Sequence, residues 1–428
     1  MDTLRSPPRA IGLAGAVLIN LNAVIGAGIF ALPALLYAGT GSLAPLIILA
    51  FAVPVAANVA IYAKLSSLFD QSGGPELYAE RAFGSFAGFQ VGFFVLSQNI
   101  AARAANFHVL IAYLAAVFPV FDSAGVRLVM ILALIALFTA LAISGTRRSI
   151  AALWIGTALK LGPILLIGLL GFMVNGLPDA YVLPQFSQVE AIALLLAYAF
   201  SGGILATISA GETHDAKRTV GRSLYLTLGV IAAFYALVQW AYIAIDPQDV
   251  NMDRPLAAAG EAVLGQTGIL LISIAAIFST GTNQLSYFVS MPRLIFGMSR
   301  RGLLPASFSR ISARFGTPAL AIGLYGAVVA ALALTGTFAT LAVFMVALET
   351  ISALLVVGAL VMLWRRNEGG IAARMGWHWA LIIPFSATFS IWLLAQAPVS
   401  AIVPTFVVIA VGALLYFLAR RGSRASAV

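Results

Sequence analysis

The chain has 428 residues, of which 61% are hydrophobic and only 9% charged, and its mean hydropathy is +1.02. An ordinary soluble domain carries about 25% charged residues, and this composition has too few polar groups to cover a water-facing surface, so a soluble fold is excluded and lipid is the solvent. The net charge of +9 would suit a polyanionic partner, but its placement along the chain assigns it to membrane topology and leaves no role for nucleic acid.

A spanning helix needs roughly 20 mostly apolar residues. In chain order such windows lie at 11–37, 43–66, 85–119, 126–144, 149–174, 188–210, 219–245, 265–298, 317–336, 340–363, 376–395 and 399–419. They predict an all-α integral membrane protein of about 12 transmembrane helices, forming a single polytopic domain over 1–428. The first window follows Arg5 and Arg9 but is too long for a removable signal and lacks a cleavage site, so it is read as the first span. The third and eighth are long enough to tilt strongly or to project past the bilayer. With the N-terminus inside, all but four of the 24 Lys and Arg fall in inside segments. Arg127 and Arg254 lie outside, beside Asp122, Asp179, Asp246, Asp249 and Asp253, while Arg103 and Lys160 lie within spans. The positive-inside rule then puts both termini in the cytoplasm, in a multi-pass protein of the cytoplasmic (inner) membrane surrounded by its lipids.

Two spans are interrupted. The first carries Ile25-Gly26-Ala27-Gly28-Ile29-Phe30 near its middle and the sixth carries Phe200-Ser201-Gly202-Gly203-Ile204 near its own. Glycines of this kind also serve close helix packing, but interruptions at corresponding places in two halves point to a transporter's midplane site. Five spans separate the start of one half from the start of the next. Five is odd, so the second half is inverted. The expected architecture is a 5+5 inverted repeat with discontinuous helices 1 and 6, with repeat one at 11–174, repeat two at 188–363 and two extra C-terminal helices at 376–419.

Unwinding a helix in hydrocarbon exposes backbone groups at a high cost unless they line a polar cavity. At each break a half-helix N-terminus offers free N–H groups and a positive dipole end of about half an elementary charge. A carboxylate suits the Gly26–Ile29 turn, and a released carbonyl such as that of Phe200 suits an ammonium. Amino acids carry both groups on one carbon, so a small-molecule substrate of this kind is the expected partner.

These segments resemble the amino acid–polyamine–organocation (APC) superfamily over nearly the whole chain. Its first-span pattern G-[SA]-G-[IV]-F followed by proline is similar to Gly26-Ala27-Gly28-Ile29-Phe30 with Pro33. Its P-x-x-G-G-x-Y loop is similar to Ser72-Gly73-Gly74-Pro75 with Tyr78, continuing to Ala82-Phe83-Gly84. Its sixth-span F-x-G-[FVW]-[ED] and following E-E-[TV]-K-N-P-K-R resemble Phe200–Ile204 and Gly211-Glu212-Thr213-His214-Asp215-Ala216-Lys217-Arg218. Pro292-Arg293-Leu294-Ile295-Phe296-Gly297-Met298-Ser299-Arg300-Arg301-Gly302-Leu303-Leu304-Pro305 is close to its R-x-[LI]-[FY]-x-[ML]-[AS]-R-[DE]-G-x-L-P. The glycine motifs are weak singly, and the ordered set on the right spans is specific.

The resemblance implies a LeuT-like fold and alternating-access transport of amino acids or their amine relatives, at a site between spans one, three, six, eight and ten. Within it Ile25, Gly26, Ala27, Gly28 and Ile29 surround the carboxylate, Phe200, Ser201 and Gly202 the amine, and Tyr198 takes the place of an aromatic gate. Two positions depart from the pattern: Ile204 stands where some relatives have an acid, and Gly203 where they have a bulky residue. The first removes a counter-charge for basic side chains and the second enlarges the pocket, so neutral amino acids are the expected substrates. In sodium-independent members a lysine at the place of Lys160 stands where a sodium ion sits in symporters, which predicts exchange or proton-linked transport. The plainer alternative is a lysine snorkelling to the membrane surface.

Charges and polar groups inside spans each ask for a partner or a function. Glu349 in the tenth span is a candidate proton carrier, or a partner for Arg103 or Lys160. Arg103, with Gln98, Asn99, Asn106 and His108, forms a strip that lines a pathway or bonds neighbouring helices. Ser279, Thr280, Thr282 and Asn283 in the eighth span either serve a cation or substrate or bond their own helix. Asn20 and Asn22 are read as bonds to neighbouring helices. The alternatives from other classes are an amine, polyamine or other organic-solute transporter, a channel, a non-transporting sensor and an embedded enzyme. An enzyme finds no support: His108, His214 and His378 are scattered, cysteine is absent, and no metal cluster, cofactor motif, nucleophile elbow or phosphate loop appears.

Overall fold

A computed structural model describes residues 11–69, 71, 73–145, 150–175, 182–203, 205–208, 210–245 and 251–425. Ile204, Ser72, Arg5, Arg9, Arg147, Arg148, Asp179, Asp246 and Asp249 lie outside the described residues. The chain is helical throughout, with one isolated backbone bridge and no strand among the described residues.

The first window is two helices, α1 (Leu13–Val24) and α2 (Gly28–Thr40), followed by α3 (Ala44–Ser66). A short amphipathic α4 (Pro75–Phe83) precedes the long α5 (Ser85–Val117), and α6 (Ala124–Ser144) and α7 (Ile150–Asn175) follow. The sixth window is again two pieces, α8 (Phe186–Phe200) and the single turn α9 (Leu205–Ile208). Next come α10 (Ala216–Ile245), a loop helix α11 (Pro255–Leu264), α12 (Gln266–Ser290) and α13 (Pro292–Arg300). The chain closes with α14 (Ala319–Ala333), α15 (Phe338–Arg365), α16 (Trp379–Ala395) and α17 (Val399–Ala425). A helix thus lies in every predicted window. By length and composition alone, among the described residues seven stretches are long and apolar enough to cross a membrane, or up to eight if Glu368–Arg374 and α16, bent by 110° to each other, count as one. Five shorter apolar helices stand beside them. This is a multi-pass membrane protein.

The helices pack in one connected bundle, α3 against α10, α5 against α15 and α12, and α7 against α10 and α12. Helix α5 is buried along most of its length, which explains why its sequence is small and polar for a span: Ala101, Ala104 and Ala105 let neighbours approach, and Gln90, Arg103 and Asn106 bond across to them. Helices α6 and α17 leave most of their apolar surface uncovered, as lipid-facing helices do.

The two broken helices meet at two levels. At their far ends Ile11 N–H donates to Glu212 O (3.0 Å) and His214 N–H donates to Ile11 O (2.9 Å), so the chain before α1 is strapped to the chain after α9. Further in, Ala206 N–H donates to Asn20 Oδ1 at 2.8 Å, capping α9 from the side of α1. This end of the bundle is the basic one. There Lys64 Nζ donates to Arg374 O (2.7 Å), Arg81 pairs with Glu368 (3.6 Å), and Arg301 pairs with Glu76 and with Glu80 (3.9 Å). At the opposite end the two remaining arginines pair reciprocally, Arg254 with Asp122 (3.2 Å) and Arg127 with Asp253 (3.0 Å).

Candidate functional site at the helix breaks

The first break is a tight turn. Helix α1 stops at Val24, Gly26 N–H donates back to Val24 O (2.8 Å), and α2 starts at Gly28 with its first closing bonds from Phe30 and Ala31 to Ala27 O. The amides of Ala27, Gly28 and Ile29 precede that first closed turn, the usual unsatisfied donors of a helix start. A Cβ on Gly26 would meet Asn283 Oδ1 and Asn106 Nδ2 at 3.5 and 3.6 Å, and one on Gly28 the Tyr198 ring at 3.6 Å, so these side chains lie in ordinary van der Waals contact with the turn.

The second break presses on the end of the first helix. Ser201 leaves helical geometry (φ −70°, ψ 153°), and Gly202 follows at φ +93°, where a Cβ would also lie 3.1 Å from Ala23 O. Gly202 therefore satisfies two demands at once, a left-handed backbone and a close approach to another backbone. Gly203 has no such constraint, its Cβ position lying 3.5 Å from Val24.

Lys160 of α7 is buried, and its ammonium donates to Ile25 O (3.0 Å) and Asn22 Oδ1 (2.8 Å). It does not snorkel to the surface: its charge is spent on the carbonyl released by the break. Asn283 of α12 reaches the same place, donating to Asn22 O at 2.7 Å and accepting a hydrogen bond from Arg103. The Arg103 guanidinium lies 3.9 Å from the Tyr287 ring centroid, and Gln284 donates to Arg103 O at 2.8 Å. Tyr198 donates to Asn106 Oδ1 (2.6 Å) and packs edge-on against Phe338 (5.4 Å). Tyr198, Arg103, Asn106 and Asn283 thus gather around Gly26 and Gly28.

Glu349 pairs with neither Arg103 nor Lys160. Its carboxylate instead accepts hydrogen bonds from Ser201 Oγ and from the Gly202 amide. Thr282 bonds Phe278 O (2.7 Å) in its own helix, and Asn99 does the same with Val95 O (2.7 Å). The hydroxyls of Ser279 and Thr280 are buried without a partner. His108 lies away from the breaks, on Ala333 O at 3.0 Å, beside a cavity of about 240 Å³ that Ala31, Arg127, Asp253 and Phe338 also line. Four contributors, Tyr235, Asn58, Ser386 and Ser390, were missed from sequence. Tyr235 donates to Val24 O (3.3 Å), and Asn58 accepts from Ser386 (2.6 Å) with Ser390 one turn further along α16. Hydroxyls spaced four apart in an apolar span were the one available signal for the last two.

Helix breaks whose released backbone groups are met by charged and polar side chains define a membrane transporter rather than a simple bundle. The amino acid permease family matches residues 11–419, and the chain belongs to that family, within the APC superfamily. It is 30% identical to an uncharacterized transporter of Mycobacterium tuberculosis over 350 residues, 78% of this chain and 75% of that protein. The methylthioribose transporter of Bacillus subtilis is 26% identical over 447 residues, 97% of this chain and 94% of that one. The branched-chain amino acid permease of the same organism is 24% identical over 447 residues, with the same coverage of 97% and 94%.

Proposed function

We propose that this chain is a secondary active transporter of amino acids, with a preference for neutral ones, in the cytoplasmic (inner) membrane. Both termini lie in the cytoplasm and the chain crosses twelve times as a 5+5 inverted repeat followed by two further helices. The observation that carries the reading is the contact between the two breaks, with α2 amides free on one side and the α8 carbonyl end on the other. The amides of Ala27, Gly28 and Ile29 take the substrate carboxylate, with the Arg103–Asn283 pair beside them, and the carbonyl end at Phe200–Gly202 takes the amine. Tyr198, over Gly28 and under Phe338, closes the site.

Transport is sodium-independent, by exchange or with a proton. The Lys160 ammonium sits on the Ile25 carbonyl, the kind of released oxygen a sodium ion would otherwise need, and a compact ammonium satisfies such oxygens equally well. Branched-chain amino acids are favoured by one near-full-length relative. The other near-full-length relative, named for methylthioribose, favours a second reading in which the substrate is an uncharged organic solute without a carboxylate.

Proteoliposomes preloaded with unlabelled amino acids separate these readings. Sodium-independent uptake of labelled leucine, isoleucine or alanine, abolished in Gly28→Leu, is expected. Uptake of arginine or polyamines alone would overturn the neutral preference. Uptake of methylthioribose with no amino-acid uptake would replace the substrate class, and strict sodium dependence would remove the role given to Lys160.

A further inference from the structure

A cavity of about 100 Å³ opens behind the second break, lined by Asn58 and Tyr62 of α3, Ser201, Glu349 of α15 and Ser390 of α16. None of its lining residues comes from α1, α2, α5 or α12, while Phe200, Ser201 and Gly203 of the second break line it, so it lies on the α3–α15–α16 side of that break. It has room for water molecules or a small ion.

Glu349 brings a carboxylate to this cavity without a cation to balance it. Among the described residues Lys160 is taken by Asn22 and Ile25, and Arg103 by Asn283 and the Tyr287 ring. Among the described residues the titratable groups that feel Glu349 are Tyr62 of α3, Tyr198 of α8 and Tyr287 of α12, none of them cationic. A lone anion at this depth is costly, and the cost is removed by one positive charge. Two further features suit the cavity to receive it. The Ser390 hydroxyl is 1% exposed and has no hydrogen-bond partner, and the Asn58 side chain lies across from it.

The position of the carboxylate gives that charge leverage. Its two donors, Ser201 and Gly202, are the residues that turn the chain at the break. Hydrogen bonds to an ionised carboxylate are roughly twice as strong as neutral ones, so neutralising Glu349 loosens its hold on the hinge. We propose that Glu349 and the cavity behind the second break form a binding site for a single positive charge, carried as a proton or as a small monovalent cation. Its occupancy sets the grip of α15 on the α8–α9 hinge. Only the link from occupancy to translocation rests on the transport reading given above.

The test on the full chain in detergent uses a hydrophobic carbodiimide, which reacts with protonated carboxyl groups in apolar surroundings. Labelling of Glu349, located by mass spectrometry, is expected to slow steadily as the pH is raised, and to vanish in Glu349→Gln. If potassium or ammonium chloride slows the reaction relative to choline chloride at one pH, the charge is a cation; if pH alone does so, it is a proton. Labelling indifferent to both pH and cations, or absent at every pH, overturns the site. In proteoliposomes, Glu349→Gln is expected to lose the stimulation of uptake by an inside-alkaline pH step or by a cation gradient. Wild type and variant responding equally overturns the coupling. Wild type that exchanges no substrate at all sinks the transport reading instead, while the labelling result still decides the site.

Discussion

Gly202→Ala tests the geometry of the second break against its neighbour. At φ +93° an alanine pays for a left-handed backbone, and its Cβ meets the Ala23 carbonyl oxygen at 3.1 Å, a backbone atom that cannot rotate aside. A non-glycine residue in such a region costs about 1–3 kcal/mol, and the contact places this site in the upper part of that range. The end of α1 and the hinge of α8 must separate slightly to admit the methyl group. Gly203→Ala is the internal control: its backbone is ordinary and its new methyl makes a van der Waals contact at 3.5 Å with Val24, so its cost stays within about 0.5 kcal/mol. Thermal unfolding in detergent, followed by tryptophan fluorescence, reads both variants on one scale, and uptake of labelled leucine reads the hinge. A clear fall in midpoint and in uptake for Gly202→Ala, with Gly203→Ala near wild type, is expected. Equal effects at the two positions would refute the argument from backbone conformation and close approach.

Lys160→Ala leaves Ile25 O and Asn22 Oδ1 without their common donor, each a loss of roughly 1–3 kcal/mol, so uptake should disappear; sodium-stimulated uptake by this variant would show that an ion can take the vacated place. Tyr198→Phe removes a 2.6 Å hydrogen bond and leaves Asn106 Oδ1 buried, costing about 1–3 kcal/mol; the apparent substrate affinity should weaken, and an unchanged value would separate the hydroxyl from the site. At the basic end, burial pushes the Glu76 carboxyl above its ordinary range, and Arg301 pulls it only partly back. The native state therefore holds that proton more tightly than the unfolded chain, so the contribution of Glu76 to stability is fully present below the ordinary carboxylate range and is lost as pH rises through the raised native value. Melting midpoints measured across that range should lose this slope in Glu76→Gln. The exposed pairs Arg254–Asp122 and Arg127–Asp253 are worth no more than about 1 kcal/mol each, and Asp122→Asn should hardly move the midpoint.

Much of this molecule can be read from residue order because lipid simplifies the problem. An apolar window must become a helix, and helices do lie in all the windows, with ends within a few residues. The breaks were legible through Gly26, Gly28, Gly202 and Gly203 because the interruptions fall at corresponding places in two spans, whereas either one alone reads equally as close helix packing. Helices α4 and α11 were not anticipated, being short elements in loops too polar or too brief to show a membrane period. The partners of the buried charges were harder still. Glu349 was weighed against Arg103 and Lys160 on charge alone, whereas the fold delivers it to Ser201 and Gly202, residues with no charge to advertise. The Asn22–Asn283–Arg103 chain joins residues from three helices far apart in sequence, so only packing could reveal it.

The strap from Ile11 to Glu212 and His214, with the Asn20 bond to Ala206, makes one mechanical part of what look like two. The outer portions of both interrupted helices are riveted together at the basic end, while Gly26 and Gly202 supply a pivot in each. A displacement of either portion drags its companion, because the strap and the Asn20 bond tie them at two levels. Two turns joined by one strap behave as a single part, so a change at one break is felt at the other.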